Sequence, residues 1–290
     1  MELVAVDDGS KDCTWKELQA LAEEARKSVR FERVEIATQE NRGTCETLNR
    51  LCSMARGDII AIIASDDMYL PGAFSAMVPA LQEGSKVGLV VGQNELMDGD
   101  GRRCFWDAER NNCYTEKEAE YTTFNQFLVK RSGVVENSDV FGRYETFLET
   151  NHIANGFLIR RTFLDEVLPF QKDAPLEDLW LHLQLSKVCR YRAVAAHTFR
   201  YRWHATNTIK QSKRMTRFYA KTIKWEYDHA VELNDSRRMD AIKNACCYDK
   251  VVFSLFGVLE LRRVQDFEFR RRFLCIGKWR FMYRKRKLFS

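Results

Sequence analysis

Short apolar runs alternate with amphipathic stretches from the N-terminus to Val91, and this alternation limits the chain to few folds. Leu3-Val4-Ala5-Val6, Val34-Glu35-Ile36-Ala37, Ile59-Ile60-Ala61-Ile62-Ile63 and Val87-Gly88-Leu89-Val90-Val91 read as strands. Between the first two, Trp15, Leu18, Leu21, Ala25 and Val29 recur at helical spacing. Thr14, with Glu17 three residues on, has the pattern of a capping box. A second helix follows Asn41-Arg42-Gly43 through Leu48, Leu51 and Ala55, and a third starts after Leu70-Pro71-Gly72. The run from Ile59 to Ile63 is apolar throughout, as a strand covered on both faces would be. Alternation at this spacing predicts an α/β domain with a mainly parallel central sheet covered on both sides. Ligands of such sheets bind beyond the carboxyl ends of the strands. Asp7-Asp8 and Ser65-Asp66-Asp67 fall at two such ends.

The stretch from Gly99 to Asn151 is polar, aromatic and weakly periodic, and reads as loops and short helices. Ile159 to Val167 reads as a strand end and a helix. Leu176-Glu177-Asp178 opens another helix, and Val194 to Tyr201 returns as a strand. After Thr208, Met215, Phe218, Ile223 and Tyr227 share a helical face, and a last helix is expected through Val251, Val252, Leu255, Phe256 and Leu259. The expected organisation is an α/β domain over residues 1–208 and a helical, basic C-terminal region over 209–290.

Composition narrows the class. Hydrophobic residues make up 45% and charged residues 30% of the 290, which excludes a disordered chain. Nine scattered cysteines form no CxxC pair, so free thiols in a reducing compartment are expected rather than a disulfide framework. No basic leader with a cleavage site and no apolar run of about 18 residues is present, so a cytoplasmic protein is expected. Between Arg262 and Lys287 basic residues crowd together, opposed only by Asp266 and Glu268, and aromatics such as Phe269, Trp279 and Tyr283 interleave with them. That mixture suits an anionic membrane surface. It equally suits a helical pack whose arginines pair with the chain's own acids. Nucleic acid is not expected as a partner, because no recognised module for it is present.

Taken singly, the polar motifs are ambiguous. Asp66-Asp67 at a strand end could hold a hard divalent cation through oxygen ligands, or could be a solvated turn before Pro71. Asp7-Asp8-Gly9-Ser10 is a turn found at many strand–helix junctions. Glu177-Asp178 could simply favour the positive end of a helix. Arg202 and His204 could be strand-end residues without a role.

Their order and spacing are more specific. Val6-Asp7-Asp8-Gly9-Ser10, Asn41-Arg42-Gly43, Ala55-Arg56-Gly57-Asp58, Ala64-Ser65-Asp66-Asp67, Leu176-Glu177-Asp178-Leu179-Trp180 and Tyr201-Arg202-Trp203-His204 occur in that sequence. This set resembles the family 2 inverting glycosyltransferases of GT-A fold, from Val4 to about Asn207. The resemblance implies an inverting transfer of a sugar from a nucleotide-sugar donor to a glycan or lipid-linked acceptor in cell-surface polysaccharide assembly. It implies that Asp7 and Asp8 hold the base and ribose of the donor, with UDP as the carrier. It implies a DxD-type motif at Asp66 and Asp67, with Asp67 the ligand of Mn2+ or Mg2+. It further implies Asp178 as catalytic base beside Glu177, and Arg202 and His204 near the donor diphosphate. Asn155, Gly156 and Trp180 would lie on the acceptor side. A cytoplasmic enzyme, peripheral on the inner face of the cell membrane, fits this picture. Ala64 departs from the pattern, since many relatives have an Asp there. The family also opens with a strand and helix before the Val-Asp-Asp-Gly-Ser strand, so a central strand is expected to be missing here. The competing expectation is a non-catalytic remnant or interaction protein that keeps the fold without donor binding.

Overall fold

The computed structural model describes residues 1–246 and, beyond them, the strands Asp249–Phe253, Leu259–Arg263, Arg272–Ile276 and Trp279–Tyr283. Strands β1 (Glu2–Asp7) and β2 (Arg33–Thr38) flank helix α1 (Thr14–Lys27) and pair in parallel, Glu2 against Arg33 through Asp7 against Thr38. They form a two-stranded sheet of their own. Glu2 ties it to the rest of the chain: its carboxylate accepts from Arg33 Nη1 at 2.7 Å and from the Gly57 N–H at 2.6 Å. The expected capping box does not form in α1. Asp12 Oδ1 instead accepts from the Thr14 N–H at 2.9 Å. The helix buries Ala22 and Ala25, while Leu21 and Val29, expected on the same face, are exposed.

Helix α2 (Thr44–Met54) leads to β3 (Ile59–Ala61), β4 (Met68–Tyr69), α3 (Ala73–Gln82) and the long β5 (Val87–Met97). Then come β6 (Arg103–Trp106), β7 (Asn112–Cys113), α4 (Phe124–Ser132), α5 (Tyr144–Glu149), β8 (Leu158–Arg160), α6 (Arg161–Val167), α7 (Glu177–Val188) and β9 (Arg190–Arg202). Helices α8 (Ser212–Glu232) and α9 (Ser236–Cys246) complete the helical part.

The expectation of a mainly parallel central sheet is overturned. In the seven-stranded sheet β3 pairs with β8, β8 with β5, β5 with β6, β6 with β7 and β4 with β9, all antiparallel. Only β5 and β9 run parallel there, although theirs is the longest pairing. Two causes are visible. The neighbour of β3 is supplied by β8, about a hundred residues later, which periodicity near residue 60 cannot foresee. Directly after β5 the chain reverses at Asp98, whose Oδ1 accepts from the N–H groups of Asp100 and Arg102, and Gly101 takes the left-handed φ of 82° this turn needs. Apolar patterning reports burial, not the direction of a distant partner.

Burial follows from that layout. Leu89, Val91 and Leu96 of β5 join Trp106, Phe147 and Leu179 in the larger core, and Val90 faces the opposite way onto Met77 and Leu81 of α3. Every residue of α7 from Leu179 to Leu185 is buried, as in a helix enclosed on all sides. Ile223, Ala230 and Ile242 of α8 and α9 enter the same core. At both ends of the helix expected through Val251 and Leu259, the described residues form strands. Asp249–Phe253 and Leu259–Arg263 are instead antiparallel strands, in keeping with the strand preference of Val251, Val252 and Phe253. Side chains of the basic stretch 262–287 lie outside the described residues. No helix among the described residues is long and apolar enough to cross a membrane.

Helix α8 is held by a buried carboxylate. Glu226 is fully buried and accepts from Tyr144 Oη at 2.8 Å, Gln184 Nε2 at 2.7 Å and Lys187 Nζ at 2.7 Å. One acid thus joins α8 to α5 and α7. Glu226→Ala leaves Lys187 half-buried and unpaired, which costs about 3–5 kcal/mol. A fall in melting temperature of about 10 °C is expected for a chain of this size. An unchanged melting temperature would show that apolar packing alone docks α8.

Candidate active site

Strand β9 carries its last residues to the turn that holds Asp66 and Asp67. It pairs with β4 through Met68 against Arg200, and with β5 through Met97 against Arg202. Arg202 therefore stands between residues 66–67 and the turn at 98–99. Its backbone N–H donates to Asp67 Oδ1 at 2.8 Å, and its Nε to the Asp66 carbonyl at 2.7 Å. Its Nη1 donates to the Gly99 carbonyl at 2.9 Å. Two residues on, His204 Nε2 lies 3.1 Å from Asp66 Oδ2, and its Nδ1 lies 2.8 Å from Thr206 Oγ1. The four expected residues Asp66, Asp67, Arg202 and His204 thus form one cluster.

Burial pushes the Asp67 carboxyl up to about 6, against the hydrogen bond from Arg202, and the charge of Asp66 adds to the rise. Asn155 hydrogen-bonds the same carboxylate, and its own carbonyl accepts from buried Asn94 at 2.9 Å. Gly156 follows with φ 76°. A Cβ there would stand 2.2 Å from the Phe199 ring, so only glycine lets this turn lie against β9.

Glu177 and Asp178 open α7. Burial raises both carboxyls above their ordinary range, and the charge of Asp178 raises Glu177 further. Asp178 is fixed at both oxygens: Oδ2 accepts from Asn151 Nδ2 at 3.0 Å and Oδ1 from the Leu179 N–H at 2.6 Å. Tyr201 feels acids of both segments: burial and the charges of Asp67, Asp66 and Asp178 together push its phenol up. Sequence reasoning missed Tyr201 and Asn151. Nothing local distinguishes a strand tyrosine or a loop asparagine, and both matter only through partners far along the chain.

Other expected residues lie elsewhere. Asp7 is buried at the end of β1 and accepts from the Ser10 N–H at 3.2 Å and Thr38 Oγ1 at 3.0 Å. Asp8 accepts from Gln39 Nε2 at 2.7 Å and from the N–H groups of Arg42 and Gly43, each at 2.9 Å. Partial burial pushes the Asp8 carboxyl up, but these hydrogen bonds outweigh it and hold the group below its ordinary value. Asp7 thus fixes the turn after β1, and Asp8 ties that turn to the one between β2 and α2. Trp180 is 2% exposed, with its ring against Phe170 and Trp225 in the core. No three histidine, cysteine or acidic side chains gather as a metal cage among the described residues. A cavity of about 940 Å³ lies apart from the acidic cluster, beside Tyr144, Lys187 and Arg238.

Residues 1–141 match the family model described as Glycosyl transferase family 2. No curated protein matches the chain in sequence. Among solved structures, the mannosyltransferase PcManGT from Pyrobaculum calidifontis, in complex with GDP-Man and Mn2+, is similar with a TM-score of 0.51. Identity is 14%, over 84% of this chain and 64% of that one. Residues 1–349 of S. aureus TarS are similar with a TM-score of 0.47 and 15% identity, over 84% of this chain and 61% of that one. The chain therefore spans less than two thirds of either structure. It shares the α/β, GT-A-like fold of PcManGT.

The Asp67 carboxyl gives a test in stability. Below about pH 4 it is protonated whether folded or not. Between that and its folded value of about 6 the native state keeps a proton that the unfolded chain has lost. Stability from this group is thus fully present at low pH and is lost as pH rises through 6. Asp67→Asn should raise the melting temperature at pH 8 and leave it nearly unchanged at pH 4. Equal shifts at both would mean that burial does not perturb Asp67.

Proposed function

We propose that this chain is an inverting glycosyltransferase that moves a sugar from a nucleotide-sugar donor, with UDP as carrier, to an acceptor hydroxyl. The observation that carries this reading is the cluster of Asp66, Asp67, Arg202 and His204, with Asp178 near enough for its charge, like those of Asp66 and Asp67, to act on Tyr201. The match of residues 1–141 to a glycosyltransferase family supports it. The acceptor is proposed to be a glycan or lipid-linked glycan of the cell surface. The basic stretch 262–287 would meet an anionic membrane surface from the cytoplasmic side.

In this reading Asp178 is the base. Inversion in one displacement requires a proton acceptor on the attacking side, and a carboxylate with a raised pKa is suited to take the proton. Asn151 and the Leu179 N–H hold its oxygens in place, so little reorientation is needed when the hydroxyl arrives. Glu177 sits beside it and shares the acidic environment. Asp66 and Asp67 offer the oxygen ligands that a hard cation takes, and their mutual repulsion is what a cation would relieve. A magnesium-type site needs only one or two carboxylates, with substrate phosphates and water completing the shell. Bound there, Mn2+ or Mg2+ would supply positive charge to the departing diphosphate. His204 and Arg202 add donors on the same side, and Asn155 fixes the Asp67 carboxylate. Asp7 and Asp8 act by shaping the turn that meets the nucleotide.

Two measurements check this. Asp178→Asn keeps the size of the side chain and removes proton acceptance, so turnover should fall by about 10²–10⁴-fold with donor affinity nearly unchanged. Loss of donor affinity with turnover retained would make Asp178 a structural residue. Release of sugar from UDP-sugars should also stop in excess chelator and return with added Mn2+ or Mg2+. Undiminished activity in chelator would remove the cation from the account.

A further inference from the structure

Between α5 and β8, residues 150–157 form neither helix nor strand, yet one of them holds the proposed base. Asn151 donates from Nδ2 to Asp178 Oδ2 at 3.0 Å, and its Oδ1 accepts from the Ile153 N–H at 3.2 Å. Both ends of the Asn151 amide are thus engaged, so its direction follows the backbone of this segment. The next residue fixes that backbone. His152 is 6% exposed. Its Nε2 accepts from the Gly142 N–H at 3.0 Å, so the ring proton sits on Nδ1, which donates to the Thr150 carbonyl at 3.3 Å. Burial pulls the imidazole down to about 4, against the hydrogen bond to Thr150, and the charge of Arg131 adds to the fall. The neutral ring therefore offers one donor and one acceptor, matched to the two backbone groups it meets.

Aromatic rings tie His152 to the helix of the base. It stacks on Phe147 of α5, centroids 4.5 Å and planes 19° apart, and Phe147 stacks in turn on His182 at 5.1 Å and 8°. His182 stands one turn after Asp178 on α7, and its Nδ1 lies 3.1 Å from Tyr191 Oη. Tyr191 closes the circle. A Cβ on Gly142, whose φ is 73°, would stand 2.6 Å from the Tyr191 Cβ, so only glycine lets the donor to His152 lie there. One set of rings thus joins the segment that carries Asn151 to the helix that carries Asp178. A core that needed only filling would take apolar side chains, not two imidazoles whose polar atoms must be satisfied.

We propose that His152 is a positioning residue for the base: by holding the backbone groups of Gly142 and Thr150, it aims the Asn151 amide at Asp178. The proposal rests on the reading of Asp178 as the base of a sugar transferase. In this role His152 touches no reacting atom. It acts through Asn151, whose hydrogen bond favours the ionised Asp178 and limits the directions in which its carboxylate can turn.

The test is a double-mutant cycle in the full chain, His152→Phe against Asn151→Ala. Phenylalanine keeps a ring for the stack and removes both hydrogen bonds. Two quantities are read: the titration of the Asp178 carboxyl, by carbon NMR of aspartate-labelled chain, and the acid limb of UDP-sugar turnover. Arg131 and Glu177, the charged groups that interact with Asp178, remain in every variant. Each single variant should raise the Asp178 titration by about one pH unit, the worth of a hydrogen bond to a charged group, and move the acid limb up by the same amount. Turnover above that limb should fall about tenfold or more, with UDP affinity kept within about twofold. The double variant should shift Asp178 no further than either single one. No shift in His152→Phe, or shifts that add in the double variant, would overturn the proposal. If His152→Phe does not fold, His152→Gln replaces it, since its amide oxygen can accept from the Gly142 N–H while the bond to Thr150 is lost. It should shift Asp178 in the same direction, and no shift would again overturn the proposal. If the Asp178 titration moves as stated while the acid limb stays in place, Asp178 is not the base, and that reading fails while the positioning stands.

Discussion

The pairing of β9 with both β5 and β4 is the constraint on which the site depends. Arg202 meets Asp67 because β9 stays paired to its last residue, Met97 against Arg202. The same strand carries Tyr201 to the acids and leads directly to Trp203, whose ring lies against Trp106 of the core, centroids 4.7 Å apart. Cleft and core thus meet at the end of one strand. A change that loosened β9 would disturb stability and chemistry together.

Electrostatic cost is concentrated where the proposed chemistry is. Asp67, Glu177 and Asp178 all have carboxyls raised by burial. Asp7 and Asp8 lie at the end of a sheet as well, yet hydrogen bonds hold both below the ordinary range. Acids of the same type and similar placement therefore divide into two groups. One is satisfied by the chain itself and shapes a turn. The other remains under-compensated, as groups awaiting a cation or a proton commonly are.

Much of this was legible in the sequence, and the failures have physical causes. The first helices and strands were readable because apolar spacing records burial. Asp66, Asp67, Arg202 and His204, singled out through the resemblance to a known family, are brought together by the fold. The direction of the central sheet was not readable, because β8 pairs with both β3 and β5 from far along the chain. The capping box at Thr14 failed because Asp12 competes for the same N–H. Trp180 was expected on the acceptor side through the resemblance, and the fold packs its ring against Phe170 in the core.

The central claim is that the acidic groups around Tyr201 must be ionised for sugar transfer. The pH dependence of UDP-sugar turnover by the full chain tests it most directly. A cation bound at Asp66 and Asp67 favours their ionised forms, so the dependence is set by Asp178, whose carboxyl burial raises above its ordinary range. The rate should therefore begin to fall at a pH where ordinary carboxylates with values near 4 would still be ionised. A rate that stayed level from pH 8 down to about 4.5 would contradict the account.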